Sequence, residues 1–264
     1  MAKRLKLATR SLGAEPGEPD VPALAVWISD HRGTLADIIT YQLDTSLSAQ
    51  IPAGIMHPCA GGKFYRERIM ACLTGVNGGT ATAEISLNPY EIIQDAVGIV
   101  AQKKGAWCAM PAPHILGIKD AFYDDEEEWN DALAGIYRTM MRSMRDSGIS
   151  GHVLLCDTLQ ETEIASLIRQ NVFFFQPDPG RDDLASLMEH QRQVAVGRDD
   201  LDILLDLTGE YDVRKIILVD PDPESISRAL SCLDPDQVVA GGYCRDSCED
   251  YWKNLVESAT YTVK

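Results

Sequence analysis

The sequence predicts an α/β fold in which eight parallel strands and their helices form a (β/α)8 barrel of the TIM-barrel type. Short apolar runs alternate about eight times with segments whose apolar residues recur at helical spacing. These runs are continuously apolar, as expected for strands that are buried on both faces. Several of them end at a proline, which cannot donate to a strand ladder, at Pro58, Pro89, Pro111, Pro177 and Pro221.

The predicted strands are short and follow one another along the chain. Helices are predicted between them, and the longest begins in the acidic run from Asp124 to Glu128 and closes with Arg138, Arg142 and Arg145. Acidic residues at the start of a helix and basic residues at its end complement the helix dipole. The strands cover residues 24–29, 51–59, 81–87, 106–110, 152–157, 171–176, 215–220 and 237–243.

Two segments fit this pattern less well. Residues 181–213 are too many for one helix, and a further strand at 194–196 would favour the alternative fold, an open doubly wound parallel sheet. Residues 1–20 contain no strong strand or helix signal, so we expect a flexible N-terminal arm there. The rest of the chain, residues 21–264, is predicted to form a single α/β domain.

Composition restricts the partners and the compartment. The 264 residues carry a formal net charge of −16 at pH 7, and a field of this sign repels nucleic acid and anionic lipid. The sequence shows neither an apolar run of about 18 residues nor a signal peptide, so we expect a cytoplasmic protein and no membrane partner. The seven cysteines favour reduced thiols over a disulfide framework, and the oligomeric state stays open.

The sharpest local motif is His57-Pro-Cys59-Ala-Gly-Gly-Lys63, between a predicted strand and a predicted helix. Gly61 and Gly62 allow the backbone to approach a ligand, and the first N–H groups of the helix would point at it. Lys63 adds positive charge. The motif therefore predicts an anion site for a phosphate or carboxylate, although its spacing is not that of a Walker A loop. A glycine-rich turn without a ligand is the alternative.

Four residues form a candidate metal site. His57 and Cys59 are two apart on a predicted strand and so share one face, and Cys244 and Cys248 are four apart, as on one helical face. In a closed barrel these positions are neighbours and could hold zinc or part of an iron–sulfur cluster. Reduced cysteines without a metal are the alternative interpretation.

The His57-x-Cys59 pattern with a distant cysteine resembles the zinc methyltransferases of the uroporphyrinogen decarboxylase-like group. Here the pair falls on the second predicted strand, and the surrounding residues differ from those of that group. No fold, activity or residue role is therefore carried over from the resemblance.

Four candidate catalytic residues lie at, or shortly after, the ends of predicted strands: His57, Cys59, His114 and Cys156. The carboxyl ends of barrel strands carry catalytic groups, and histidine titrates near neutral pH. These residues favour a cytoplasmic enzyme that binds a small anionic substrate, with a metal held by cysteine and histidine and a reaction class that stays open. The alternative is a non-catalytic subunit that docks on a partner protein or delivers a metal to it.

Overall fold

The structure, a computed structural model, describes residues 3–169, 171–246 and 248–263. Its strands are β1 (Lys3–Lys6), β2 (Ala8–Ala14), β3 (Cys59–Gly61), β4 (Leu73–Asn77), β5 (Thr80–Leu87), β6 (Trp107–Pro111), β7 (Lys119–Asp120), β8 (His152–Leu155), β9 (Val172–Phe175), β10 (Gln193–Val196), β11 (Lys215–Val219), β12 (Val238–Cys244) and β13 (Thr260–Val263). Its helices are α1 (Val21–Asp30), α2 (Ile38–Ser48), α3 (Gln50–Ala53), α4 (Arg66–Cys72), α5 (Tyr90–Gln102), α6 (Glu126–Asp146), α7 (Glu161–Leu167), α8 (Arg181–His190), α9 (Leu201–Leu207), α10 (Pro223–Leu230) and α11 (Cys248–Ser258).

The strands of two parallel sheets form the centre of the molecule. One sheet has the order β3-β6-β8-β9 and the other the order β10-β11-β12-β2. A parallel bridge between Arg10 and His57 joins β2 to the start of β3. No strand pairing joins β9 to β10 in the described part of the chain. The α/β class with parallel sheets is therefore confirmed, and the chain order runs through both sheets without the reversal that marks a doubly wound sheet.

Side chains from these eight strands share one interior. Each strand contributes at least one buried residue to a central cluster, which helices do not enter. Its members are Leu12, Cys59, Ala109, Val153, Leu155, Phe173, Phe175, Ala195, Ile217, Val239 and Tyr243. The opposite faces of the strands pack against helices in separate clusters. This two-layer burial is typical of a TIM-barrel-like fold, and it explains why the strand runs are apolar without alternation.

None of the first three predicted strands is a central strand over the residues predicted, although residues 81–87 do form a strand. Residues 24–29 lie in α1, where the Asp20 side chain accepts a hydrogen bond from the Ala23 N–H (2.6 Å) and caps the helix. Residues 51–58 form part of α3 and a turn, and the strand begins only at Cys59. Residues 81–87 lie in β5, which pairs antiparallel with β4 in a separate three-stranded sheet with β7. Apolar content alone did not distinguish these segments from central strands.

The N-terminal segment replaces one of those strands. Residues 8–14, expected in a flexible arm, form β2, which pairs with β12 and is buried along nearly its whole length. The segment was missed because Thr9, Arg10 and Ser11 are polar, yet they are 1, 7 and 1% exposed. The guanidinium of Arg10 lies 4.1 Å from the ring centroid of Trp107, and burial lowers the pKa of Arg10 to about 10.

The long segment 181–213 contains a second central strand that was not among the eight predicted ones. It folds as α8, β10 and α9, and β10 pairs with β11 from Gln193↔Lys215 onward. Residues 194–196 therefore do form a strand. This strand does not indicate an open doubly wound sheet, because β10 lies beside β11 and continues the chain order of the parallel strands. The predictions at 106–110, 152–157, 171–176, 215–220 and 237–243 agree with β6, β8, β9, β11 and β12.

Gly61 supplies a test of how closely β3 packs on its neighbour. Its φ is +83°, and a Cβ added there would lie 2.3 Å from the Ala109 carbonyl oxygen. We expect Gly61→Ala to lower the free energy of unfolding by at least about 2 kcal/mol. Gly98→Ala is the matched control, because this exposed position of α5 has open space and should gain about 0.5–1 kcal/mol. Urea denaturation measures both; similar effects of the two variants would contradict this packing.

Candidate functional site

A set of polar groups surrounds a concavity at the carboxyl ends of the central strands. A cavity of about 420 Å³ opens there, and a second of about 530 Å³ continues from it along shared walls that include Phe175, Tyr243 and Arg245. The carboxyl ends of parallel strands are where α/β proteins place ligands. The first cavity is lined by Glu15, Lys63, Leu155, Cys156, Asp157, Phe175, Gln176, Pro177, Asp178, Tyr243 and Arg245.

Two cations border this cavity. Lys63 follows β3 and Arg245 follows β12, and both side chains are exposed. Within residues 3–169, 171–246 and 248–263, neither forms an ion pair. Cations with no carboxylate partner, placed on a concave surface, are available to an anion.

Arg66 and Arg68, in α4 after Lys63, are not available to an anion, because both already have partners. Arg66 donates to the Leu116 carbonyl oxygen (2.7 Å), and it pairs with Glu67 (2.9 Å). Arg68 is 4% exposed and forms ion pairs of 2.8 Å with each of three acidic residues, Asp37, Glu91 and Asp95. Arg68 therefore stabilises the contact of α4 with α2 and α5.

The Glu15 carboxylate organises the wall between the two cations. Its Oε1 accepts hydrogen bonds from the Tyr243 hydroxyl and from the backbone N–H of Lys63. The Glu15 N–H donates to the Cys244 carbonyl oxygen (2.7 Å). Burial, reinforced by the Glu15 charge, raises the pKa of Tyr243, so the phenol stays a hydrogen-bond donor.

These contacts change the roles expected for the glycines. The Lys63 N–H, expected to face an anion, is bonded to Glu15. A Cβ on Gly62 would lie 2.2 Å from the Ala14 carbonyl oxygen, and Gly61 packs equally closely on Ala109. Both glycines thus allow strands to approach one another, and it is the Lys63 side chain that lines the cavity.

His114 joins two carboxylates at the other side of the cavity. Its Nδ1 lies 2.9 Å from Oε2 of Glu163, and its Nε2 lies 2.9 Å from Oδ1 of Asp157. The backbone N–H of His114 also donates to Oε1 of Glu163 (2.7 Å), so this carboxylate holds both the backbone and the ring of His114. The Asp157 side chain is 67% exposed and lines the cavity, whereas Glu163 is 12% exposed.

The contacts among His114, Glu163 and Asp157 shift the pKa values of His114 and Asp157. Burial alone would lower the pKa of His114, but the hydrogen bonds and charges of Glu163 and Asp157 outweigh burial and raise it. The hydrogen bond from His114 lowers the pKa of Asp157. The imidazole between Glu163 and Asp157 therefore holds its proton more readily than a free histidine does, and the Asp157 carboxylate faces the cavity.

Gln176 contributes an acceptor that the protein leaves unused. The residue is 6% exposed and lines the cavity, and its Nε2 donates to Oδ2 of Asp183 (2.8 Å). Its Oε1 is buried and has no hydrogen-bond partner in the structure's described residues. Because buried acceptors are nearly always satisfied, this oxygen marks a position for a donor supplied by water or by a ligand.

Cys156 lines the same cavity but is not a reactive thiol. It is 1% exposed, and burial together with the nearby Glu163 and Asp157 charges raises its pKa to about 12. The nucleophile in cysteine chemistry is the thiolate, which is scarce at neutral pH in such a position. The expected catalytic role of Cys156 therefore has no support from its surroundings.

The proposed metal set does not come together. His57 is exposed at the start of β3, next to Arg10, and Cys59 is fully buried in the interior, where burial raises its pKa to about 12. Cys244 lies at the opposite, carboxyl end of β12 and is joined to Cys248 by a disulfide. The described ranges contain no group of three or more histidine, cysteine or acidic side chains placed to hold a metal ion.

The reason for this error is the misplaced second strand. With the strand drawn over 51–59, His57 and Cys59 fell at its carboxyl end. In the structure they lie at the amino end of β3, opposite Trp107 at the start of β6. The expectation that all cysteines are reduced is also corrected, because Cys244 and Cys248 are bonded, whereas the other five are free.

Several residues of the cavity were missed by sequence reasoning. Gln176 and Asp178 follow β9 and Arg245 follows β12, so the rule that found His114 would also have found them. Glu15 had no such signal, because β2 was not recognised as a strand. Tyr243 is the last residue of the strand predicted at 237–243 and was not among the candidate residues.

Comparisons with known proteins define the fold and leave the activity open. No protein-family model matches the chain, and no curated protein matches it. A B12-independent methionine synthase from Shewanella sp. W3-18-1, solved in complex with selenomethionine, superposes with a TM-score of 0.68 at 14% identity, covering 97% of this chain and 96% of the other. A Listeria monocytogenes structure provisionally named a vitamin-B12-independent methionine synthase gives 0.68 at 15% identity, covering 97% and 98%.

These similarities place the chain among α/β proteins of the TIM-barrel type. At such low identity they show the fold alone. Across the segments that the structure describes, no helix is long and apolar enough to cross a membrane.

The ionisation of His114 predicts a pH-dependent stability. Because the two carboxylates raise the pKa of His114, its stabilising contribution is fully present below about pH 6.5 and is lost as the pH rises through the folded-state pKa. Urea denaturation of His114→Gln should therefore show a larger loss of unfolding free energy at pH 6 than at pH 9. His190→Gln, at an exposed position that ends α8, is the control. An equal loss for His114→Gln at both pH values would contradict the ion-pair assignment.

Proposed function

We propose that the protein is a cytoplasmic enzyme that binds a small phosphate- or carboxylate-bearing molecule at the carboxyl end of a parallel β-barrel and transfers a proton to or from it. One observation carries the proposal. The Glu163–His114–Asp157 chain ends in the same cavity that Lys63 and Arg245 border. A tuned acid–base pair beside two cations without ion-pair partners is the arrangement expected of a catalytic site for an anionic substrate.

Lys63 and Arg245 bind the anionic group in this proposal. They lie at the ends of β3 and β12, which Glu15 links through Lys63 N–H and Tyr243. Charge-assisted hydrogen bonds from Lys and Arg are stronger than neutral ones, and Arg presents a planar fork that suits carboxylate and phosphate oxygens. The cavity therefore favours an anion locally, although the chain as a whole is acidic.

Gln176 and Asp178 bind a donor on the same molecule. The Oε1 of Gln176 requires a hydrogen-bond donor, and the exposed Asp178 carboxylate lies on the same wall. A ligand that carries both an anionic group and an N–H group satisfies both sides. Selenomethionine, present in the Shewanella structure, carries a carboxylate and an ammonium on its α-carbon, which makes an amino acid a suitable first probe.

Asp157 and His114 act together on the proton. Asp157 reaches the cavity, while the imidazole behind it titrates nearer to neutral pH, because the pKa of His114 is raised and that of Asp157 is lowered. In this mechanism Asp157 contacts the substrate, His114 takes up or supplies the proton through it, and Glu163 fixes the ring. General acid–base groups work best when their pKa lies near the working pH.

A specific observation also favours the second candidate, a subunit that docks on a partner protein. Helix α1 buries none of its residues, and Val21 and Val26 are 79% and 63% exposed. An apolar helix left in contact with water is typical of an interface. Metal delivery is not included in this candidate, because the cysteine and histidine ligands lie apart.

Ligand titration of wild type and three variants tests the proposal. Inorganic phosphate or L-methionine should raise the melting temperature of the wild type, because a ligand that binds only the folded state stabilises it. Lys63→Ala and Arg245→Ala should each weaken binding by about tenfold, the loss of one charge-assisted hydrogen bond. Lys104→Ala, an exposed position between α5 and β6 at the other end of the barrel, should bind as the wild type does.

Two results would overturn the enzyme proposal. One is the absence of any shift with either probe in the wild type. The other is binding that survives unchanged in Lys63→Ala and Arg245→Ala. If, in addition, Val26→Asp in α1 abolished association with a partner protein, the docking candidate would take its place.

A further inference from the structure

The disulfide between Cys244 and Cys248 holds the segment that carries Arg245. It links the last residue of β12 to the first residue of α11, with a Cα–Cα distance of 5.9 Å. Arg245 directly follows the first cysteine and lines both parts of the cavity. The position of one of the two cations therefore depends on a covalent bond between side chains.

The two cysteines line different cavities. Cys244 is 1% exposed and lines the extension of the candidate site. Cys248 is 9% exposed and lines a separate cavity of about 600 Å³, together with Pro16, Pro52 and Lys253. A reactant that approaches Cys248 from this second cavity does not have to pass through the candidate site.

We propose that this disulfide is a reversible redox site and that its reduction weakens anion binding by releasing Arg245. The inference rests on the proposed function of the cavity. Reduction breaks the S–S bond and removes the covalent constraint between the two ends of the segment, so the two thiols are free to separate. Arg245 lies inside that segment, whereas Lys63 lies on another strand and keeps its place through Glu15.

The reductant is a dithiol protein or small dithiol, and the exchange balances without another reactant. One thiolate of the dithiol attacks Sγ of Cys248, forms a mixed disulfide and displaces the Cys244 thiolate, which takes up a proton. The second thiol of the dithiol then attacks the mixed disulfide and releases Cys248. Two electrons pass to the protein, which gains two thiols, and the dithiol leaves as its own disulfide.

The other cysteines do not offer this chemistry. Cys59, Cys72, Cys108 and Cys156 are buried, and burial raises the pKa of each thiol. Cys232 is exposed, and its Sγ lies 3.6 Å from the guanidinium of Arg228 and not next to a second cysteine. Cys232→Ser is therefore the matched control for the loss of a thiol outside the disulfide.

Two separate measurements test the proposal on the full chain. Alkylation of the folded protein followed by intact mass measurement, with and without dithiothreitol, counts the thiols freed on reduction. Calorimetric titration with inorganic phosphate and with L-methionine measures the affinity of each form. We expect reduction of the wild type to free Cys244 and Cys248 and to weaken binding by about tenfold. Cys248→Ser should bind weakly under both conditions, and Cys232→Ser should behave as the wild type does.

Each remaining outcome is decisive. Equal affinity of the oxidised and reduced wild type would overturn the redox control and leave the proposed function intact. Absence of binding in both forms would overturn the proposed function and the control that rests on it, whatever the thiol count. A thiol count unchanged by dithiothreitol at full reductant excess would show that the disulfide is not reversible and would overturn the inference directly.

Discussion

The Glu15 carboxylate is the contact on which the arrangement of the site depends. It directly follows β2 and accepts hydrogen bonds from the Tyr243 hydroxyl at the end of β12 and from the Lys63 N–H after β3. Three strand ends, two from one parallel sheet and one from the other, are thereby held at one acceptor. The two sheets meet at β2, so this contact also fixes how Lys63 and Arg245 stand relative to each other.

The site that results is bipolar in a strongly acidic chain. Most carboxylates at its edge already have partners: Glu15 has Tyr243, and Asp157 and Glu163 have His114. The two cations have no carboxylate partner among the described residues, although the whole chain carries a net charge of −16. In the proposed function, these two positive charges allow an acidic protein to bind an anion at one place.

How much of this was predictable depends on whether the sequence signal was local. Five central strands, the covering helices and the position of Lys63 between a strand and a helix followed from apolar runs and turn residues. Strand β2 did not, because Arg10 is held in the interior by contacts with Trp107, Phe173 and Gln193, which lie far away along the chain and which no local pattern records. With β2 unrecognised, Glu15 was missed, and the strand predicted at 51–59 instead of 59–61 put His57 at the wrong end of its strand. The metal site was a consequence of that displacement.

A crystal soaked with selenate tests the central claim most directly, because this tetrahedral dianion mimics phosphate and selenium scatters anomalously. The account predicts an anomalous peak within hydrogen-bond distance of the Lys63 ammonium and the Arg245 guanidinium, at the carboxyl end of the central strands. The same data set on Arg245→Ala should show a weaker peak at that position. A peak confined to another surface, or a peak of equal height in the variant, would contradict the assignment of this cavity as the anion site.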